Sequence, residues 1–249
     1  MSVPMAPSAQ PAIEQLRATV RGRVVTPTDP EYDAWRVVMI GGVDPRPAVI
    51  VRVADAGDVA AAVAVASTTG LEIAVRAGGH SGAGHSTVDG GLVIDLRDLT
   101  TLEIDPEART AWADAGLTAF EVTSGAAKHG LGIGFGDTGS VGISGITLGG
   151  GIGYLVRKHG LTIDNLLAAE IVTADGSLLQ VDATTHPDLF WALRGGGGNF
   201  GVVTRLKYRL QPLGSIVGGI MVLPATAETV AGFIAAAEAA PEELSTIAN

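Results

Sequence analysis

One of the five histidines in this 249-residue chain stands where an imidazole could do chemistry. His80 sits in Val75-Arg76-Ala77-Gly78-Gly79-His80-Ser81-Gly82-Ala83-Gly84, a glycine-rich turn behind a short apolar strand. Glycines allow φ > 0 and let backbone N–H groups converge on an anion, so the turn reads as a phosphate cradle that needs no cationic side chain. An imidazole in such a cradle can be a nucleophile, a proton carrier or a metal ligand. The metal reading is poor, because His85 is near but only Asp89 could join it and a catalytic site needs three protein ligands. Ser81, Ser140 and Ser144 also lie in glycine loops, but none occupies the G-x-S-x-G elbow of a hydrolase nucleophile. His129, His159 and His186 fall at expected helix ends, where a dipole or capping role accounts for them.

Two more glycine clusters follow, over residues 132–153 and 195–201. Glycine clusters cost chain entropy, so convergence of all three on one extended ligand explains them better than three separate accidents. The third contains a G-x-G-x-x-G pattern at Gly196, Gly198 and Gly201. It follows a helical segment and precedes a strand, the reverse of the strand-then-helix order a Rossmann site requires. No G-x-x-x-x-G-K-[ST] occurs, which argues against a P-loop nucleotidase.

The elements that must position these loops alternate along the chain. A short helix is expected over 13–20, an apolar strand over 48–53, and a helix over 60–68 behind the capping Asp55. Strands follow at 73–76 and 92–96, and a hairpin pairs 102–104 with 110–113. Thr118 opens a helix to 129, and a helical pattern ends at His159. Residues 167–173 and 178–181 flank Ala174-Asp175-Gly176-Ser177 as a second hairpin. A helix over 187–193 leads through the third glycine cluster into a strand over 202–210. Pro212-Leu213-Gly214 then marks a boundary, after which a strand over 216–223 and an Ala-rich helix over 225–239 are expected.

Composition limits the partners. A formal charge of −10 with a pI near 4.8 disfavours nucleic acid and anionic membranes, both of which demand a basic face. The absence of cysteine removes disulfides, thiolate metal sites and cysteine nucleophiles. Residues 1–10 lack the plan of a signal peptide and no window has the run of apolar residues a spanning helix needs, so a cytoplasmic protein is expected.

Several motifs occur together and in order: Arg76-Ala77-Gly78-Gly79-His80-Ser81; Asp89-Gly90-Gly91-Leu92-Val93-Ile94-Asp95-Leu96; Gly142-Ile143-Ser144-Gly145-Ile146-Thr147-Leu148-Gly149-Gly150-Gly151-Ile152-Gly153; and Gly198-Asn199-Phe200-Gly201-Val202-Val203-Thr204. In this the chain resembles the FAD-linked oxidases of the vanillyl-alcohol oxidase / p-cresol methylhydroxylase (PCMH) superfamily, within it the berberine-bridge-enzyme-like group, from about residue 47 to 212. The resemblance implies an α+β fold with a two-subdomain FAD-binding domain of the PCMH type. It divides the chain into an N-terminal segment with a short helix over 1–46, the FAD domain over 47–212, and the truncated start of an α+β substrate domain over 213–249.

The same resemblance assigns residues. The backbone of Arg76, Ala77, Gly78, Gly79, His80 and Ser81 would hold the FAD pyrophosphate, and His80 would carry the flavin through its 8α-methyl carbon, a link that retains the cofactor and makes it a stronger electron acceptor. A second link found in many relatives, from cysteine to the ring, maps to Thr138, so attachment would be through His80 alone. Ser140, Val141, Gly142 and Gly145 would line the isoalloxazine or pyrophosphate, with Val141 at a position associated with oxygen access. Gly150 would let backbone pack on the cofactor, and Gly201, Val202 and Val203 would lie near adenine and ribose. The implied reaction is hydride transfer from a CH–OH or CH–NH group of a small-molecule substrate to flavin, then electron transfer to O2 with release of H2O2. The catalytic base is expected in a C-terminal part that this chain lacks, supplied by a complementing fragment or an oligomer; the alternative is a non-catalytic FAD-binding fragment.

Overall fold

The computed structural model describes residues 9–248. Helix α1 (Ala9–Thr19) buries Ile13 and Leu16 and is followed by strand β1 (Arg23–Val25) and the short helix α2 (Tyr32–Arg36). Strand β2 (Val49–Arg52) leads to helix α3 (Ala56–Thr69), whose N-cap Asp55 accepts the N–H of Asp58 and whose last turn closes on Gly70 in the left-handed region. The buried Asp58 carboxylate accepts N–H groups of Arg21, Gly22 and Ala54, stapling the start of β1 to α3. Strands β3 (Ile73–Arg76) and β4 (Leu92–Asp95) complete a four-stranded sheet of order β1-β2-β4-β3. β2, β4 and β3 run parallel and β1 antiparallel. The near-continuous apolar runs of β2 and β4 suit strands covered on both faces.

The second layer begins with strands β5 (Leu102–Asp105) and β6 (Thr110–Asp114), then helix α4 (Ala119–Ala127), opened by a reciprocal capping box between Thr118 and Glu121. The two-residue strand β7 (Leu131–Gly132), helix α5 (Ile143–Leu148) and helix α6 (Val156–His159) follow. Strands β8 (Leu166–Val172) and β9 (Leu178–Asp182), helix α7 (Pro187–Gly196) and strand β10 (Val202–Arg209) lead to the two-residue strand β11 (Gln211–Pro212), which pairs with β7. The antiparallel order is β5-β6-β10-β8-β9. One apolar core joins both sheets, from Val51 and Ile94 to Ala113, Phe135, Ile143, Ile171 and Leu206. Helices with one largely parallel and one antiparallel sheet make the α+β arrangement expected of the sequence.

Differences from the expectations have local causes. Helix α5 lies inside the second glycine cluster, where Gly145 and Gly149 hide the periodicity that Ile143, Ile146 and Thr147 would otherwise show. The expected strand over 216–223 is not one: the segment pairs with nothing among the described residues, and Val217, Ile220 and Val222 are at least 90 % exposed. A strand's backbone groups need a ladder, and no edge is offered to this one. Helix α8 (Ala227–Ala239) buries no side chain. It is held from outside by Arg157, whose guanidinium donates to the carbonyls of Ala237, Ala240 and Leu244. His186 also departs from expectation: it stands at the N-terminal end of α7 at φ 50°, makes no side-chain cap, and is at the wrong end for a favourable dipole interaction as a cation.

Candidate functional site

Strand β3 delivers its last residue, Arg76, into the first glycine loop, and the Leu96 N–H bonds the Arg76 carbonyl to fix the exit. Beyond it the backbone N–H groups of residues 77–83 donate to no protein acceptor among the described residues. Gly79 and Gly84 take positive φ of 71° and 80°, the Gly79 carbonyl accepts from Met39, and Gly84 donates to Ser81, so the loop is held by its carbonyls while its amides stay free. A run of unpaired amides in a turning backbone is an anion nest. The Thr87 hydroxyl at the loop's far end is buried without a partner. Such groups cost free energy unless something pairs with them.

The second glycine cluster packs directly on the first. A Cβ on Gly78 would lie 2.4 Å from the Gly142 nitrogen and 3.0 Å from the Ser140 carbonyl oxygen, and one on Gly142 would lie 2.4 Å from the Gly78 nitrogen. Only glycines permit this approach. Its result is that Ser140 Oγ stands 3.1 Å from His80 Nε2 across 60 residues of sequence. Val141 is half-buried and its carbonyl accepts from Ala119, while Thr138 is exposed and bonds Asp137. Gly145 and Gly150 have nothing within 4 Å of where a Cβ would be, so their surfaces are open. Helix α5 starts at this junction and is tied to β10 by a buried Thr147–Tyr208 hydroxyl pair 2.8 Å apart. Burial pushes the Tyr208 phenol far up, so it remains a neutral hydrogen-bonding group.

The third cluster joins through α5, which packs on α7 and on the 3-10 turn over 197–200. Here the sequence assignments divide. Val202 and Val203 are buried in the ladder opposite Val172 and Ile171, and a Cβ on Gly201 would come 2.3 Å from the Val172 carbonyl oxygen. Gly201 is thus required for strand packing, and the side chains of Val202 and Val203 are packed in the core.

The Arg76 side chain also turns inward. Strands β2, β4 and β3 end in register on Arg52, Asp95 and Arg76, and the fully buried Asp95 carboxylate receives Arg76 at 2.8 Å, Arg97 at 2.8 Å and Arg52 at 3.3 Å. Burial alone would raise the Asp95 pKa; the hydrogen bond from Arg97 and the charge of Arg76 outweigh it and hold the carboxyl below its ordinary value. Arg76 passes beneath Gly79, its Cδ 3.7 Å from where a Cβ there would be. The cationic side chain therefore underlies the nest without entering it. Sequence reasoning missed Asp95, Arg52 and Arg97 as supporting residues; its signal was that three apolar strands each end in a charge, and the alternation of sign arises only in the sheet order β2-β4-β3.

The FAD binding domain family matches residues 47–182. The chain belongs to that family. Its relatives include (R)-6-hydroxynicotine oxidase of Paenarthrobacter nicotinovorans, 42% identical over 195 residues, which cover 78% of this chain and 43% of the relative. Among solved structures, the berberine-bridge-enzyme-like protein 1 of Physcomitrella patens superposes with a TM-score of 0.77 at 32% identity, over 80% of this chain and 44% of that one. Xylooligosaccharide oxidase of Myceliophthora thermophila, solved with xylobiose, gives 0.77 at 31% identity, over 81% and 43%. The relatives are thus oxidases of the vanillyl-alcohol oxidase / PCMH superfamily, and the chain spans less than half of their length.

The residues present fit FAD. Free amides over 77–83 suit a pyrophosphate, the open surfaces at Gly145 and Gly150 leave room for a flat ring, and the one imidazole at the junction lies where the two loops meet. Among the described residues no cluster of three metal-ligating side chains occurs, and no helix is long and apolar enough to cross a membrane.

Proposed function

We propose that this chain is the flavin-holding part of an FAD-linked oxidoreductase of the oxidase type, with the cofactor attached through His80. The carrying observation is the junction itself: unpaired amides over 77–83, with His80 held against Ser140 by the Gly78–Gly142 contact. When bound, FAD supplies hydride acceptance from a CH–OH or CH–NH carbon and onward electron transfer to O2. The chain's own part is to bind and orient. The 77–83 amides neutralise phosphate charge that the chain, at −10 overall, would otherwise repel. Residues 138–145 form the second wall, and Val141 stands where dioxygen would approach. The region over 47–212 is the FAD domain in this reading, and residues 213–249 begin a substrate domain.

The substrate is a small molecule that a further polypeptide segment helps to enclose, since no residue of this chain is assigned as the base. The second reading is a flavin-holding unit without turnover. Anaerobic addition of alcohols, sugars and amines to the FAD-loaded protein distinguishes them. Bleaching of the flavin band, reversed by air with formation of H2O2, supports the oxidase. A flavin band that no substrate bleaches, with or without a complementing C-terminal fragment, leaves only the second reading.

A further inference from the structure

We propose that Ser140 is a positioning residue for flavin attachment: its hydroxyl pairs with Nε2 of His80, fixes the ring, and leaves Nδ1 as the nitrogen that forms the bond. The inference rests on the proposed attachment through His80.

The contact is built rather than incidental. Ser140 Oγ lies 3.1 Å from Nε2, and the backbones carrying both residues cannot slide, because Gly78 and Gly142 are in contact at distances no Cβ would tolerate. Among the described residues Nδ1 has no hydrogen-bond partner. A neutral imidazole carries one N–H and one lone pair, and a serine hydroxyl can pair with either, so Ser140 occupies Nε2 and leaves Nδ1 as the free nitrogen. The Nε2–H form, with its lone pair at Nδ1, is the reactive one, and the ring can rotate neither away from the junction nor end over end without losing the bond. A hydroxyl suits both sides of the reaction, since it accepts from Nε2–H before the bond forms and donates to bare Nε2 afterwards.

The step balances as follows. One C–H of the flavin 8α-methyl group breaks and one Nδ1–C bond forms; the methyl proton and the Nε2 proton leave. The electron pair of the broken C–H bond stays on the flavin, which is reduced by two electrons. Dioxygen then takes the two electrons and two protons, giving H2O2 and the oxidised, linked cofactor.

Two measurements on the full chain test this. The first is the 15N resonance pattern of the His80 ring in the flavin-free protein at a pH where the ring is neutral. The parent is expected to hold a measurable Nε2–H population, whose Nδ1 carries the lone pair; a ring wholly in the Nδ1–H form overturns the proposal. The second is the rate at which denatured-protein mass gains FAD after mixing, together with identification of the substituted nitrogen in the isolated flavin peptide. Loss of one hydrogen bond slows loading about three- to ten-fold in Ser140→Ala and yields both isomers, while Ser140→Thr, which keeps the hydroxyl, restores the rate and the Nδ1 product. A parent that gains mass, with Ser140→Ala loading equally fast as a single isomer, refutes the role of Ser140. A parent that binds FAD but never gains mass refutes the attachment reading instead, and the linking role of Ser140 with it.

Discussion

Asp95→Asn is the substitution whose consequence follows most directly from the geometry. The carboxylate is fully buried and shared by three guanidinium groups, of which Arg76 is itself 1 % exposed, whereas Arg52 retains 18 % and Arg97 37 %. Arg52 has a second support in the Trp35 ring at 3.8 Å, and Arg97 is partly open to solvent. Arg76 has neither: beyond Asp95 its guanidinium reaches the Val37 carbonyl at 3.4 Å, and its Nε is without a partner. Neutralising Asp95 therefore leaves a cation buried and uncompensated, which costs about 3–5 kcal/mol. For a chain of this size each kcal/mol moves the melting temperature by about 2–4 °C, so the variant melts about 6–20 °C below the parent. Thermal unfolding by circular dichroism at pH 7 measures this. Asp98→Asn is the control, because that carboxylate is 54 % exposed and 3.9 Å from Arg52, and its cost stays within about 0.5 kcal/mol. The sign of the pH dependence follows from the lowered pKa of Asp95. A carboxyl whose pKa falls on folding gives stability that is present above its unfolded value, near 4, and lost as pH falls through the folded value. The gap between parent and variant therefore narrows in acid below about pH 4. An Asp95→Asn protein that melts within about 2 °C of the parent at pH 7 would refute the reasoning.

Other outcomes follow from single contacts. Gly142→Ala places a methyl 2.4 Å from the Gly78 nitrogen, an overpacking worth about 1–3 kcal/mol; a titration with FAD should show weakened binding, and unchanged affinity would separate the two loops from the cofactor. Tyr208→Phe leaves the buried Thr147 hydroxyl unpaired and should cost about 1–3 kcal/mol in urea unfolding. Arg157→Ala removes the donor to the carbonyls of Ala237 and Ala240 at the end of α8 and of Leu244 beyond it, so hydrogen exchange over 227–239 should accelerate while the main melting transition stays in place.

The parts of the fold legible in the sequence were those with local signals. Strand β3 has the bounds its residues suggest, and the caps at Asp55 and Thr118 place the starts of α3 and α4 because a side-chain oxygen there finds an adjacent free N–H. Residues 216–223 misled for the opposite reason: eight positions without a charge read as a strand, but a strand exists only if another offers it a ladder. At the site, the glycine loop and His80 could be read because glycine content is itself the signal. The inward turn of Arg76 could not, since it depends on Asp95 arriving in register from another strand. The placement of Gly201 depends likewise on the Val172 carbonyl, a non-local neighbour.

The central claim, that the 76–81 loop holds FAD and His80 binds it covalently, is tested most directly by the mass of the denatured protein after incubation with FAD and air. The parent is predicted to gain the mass of FAD less two hydrogens, and His80→Ala to gain nothing while still turning yellow before denaturation. An unchanged parent mass, or an increment that persists in His80→Ala, would contradict it.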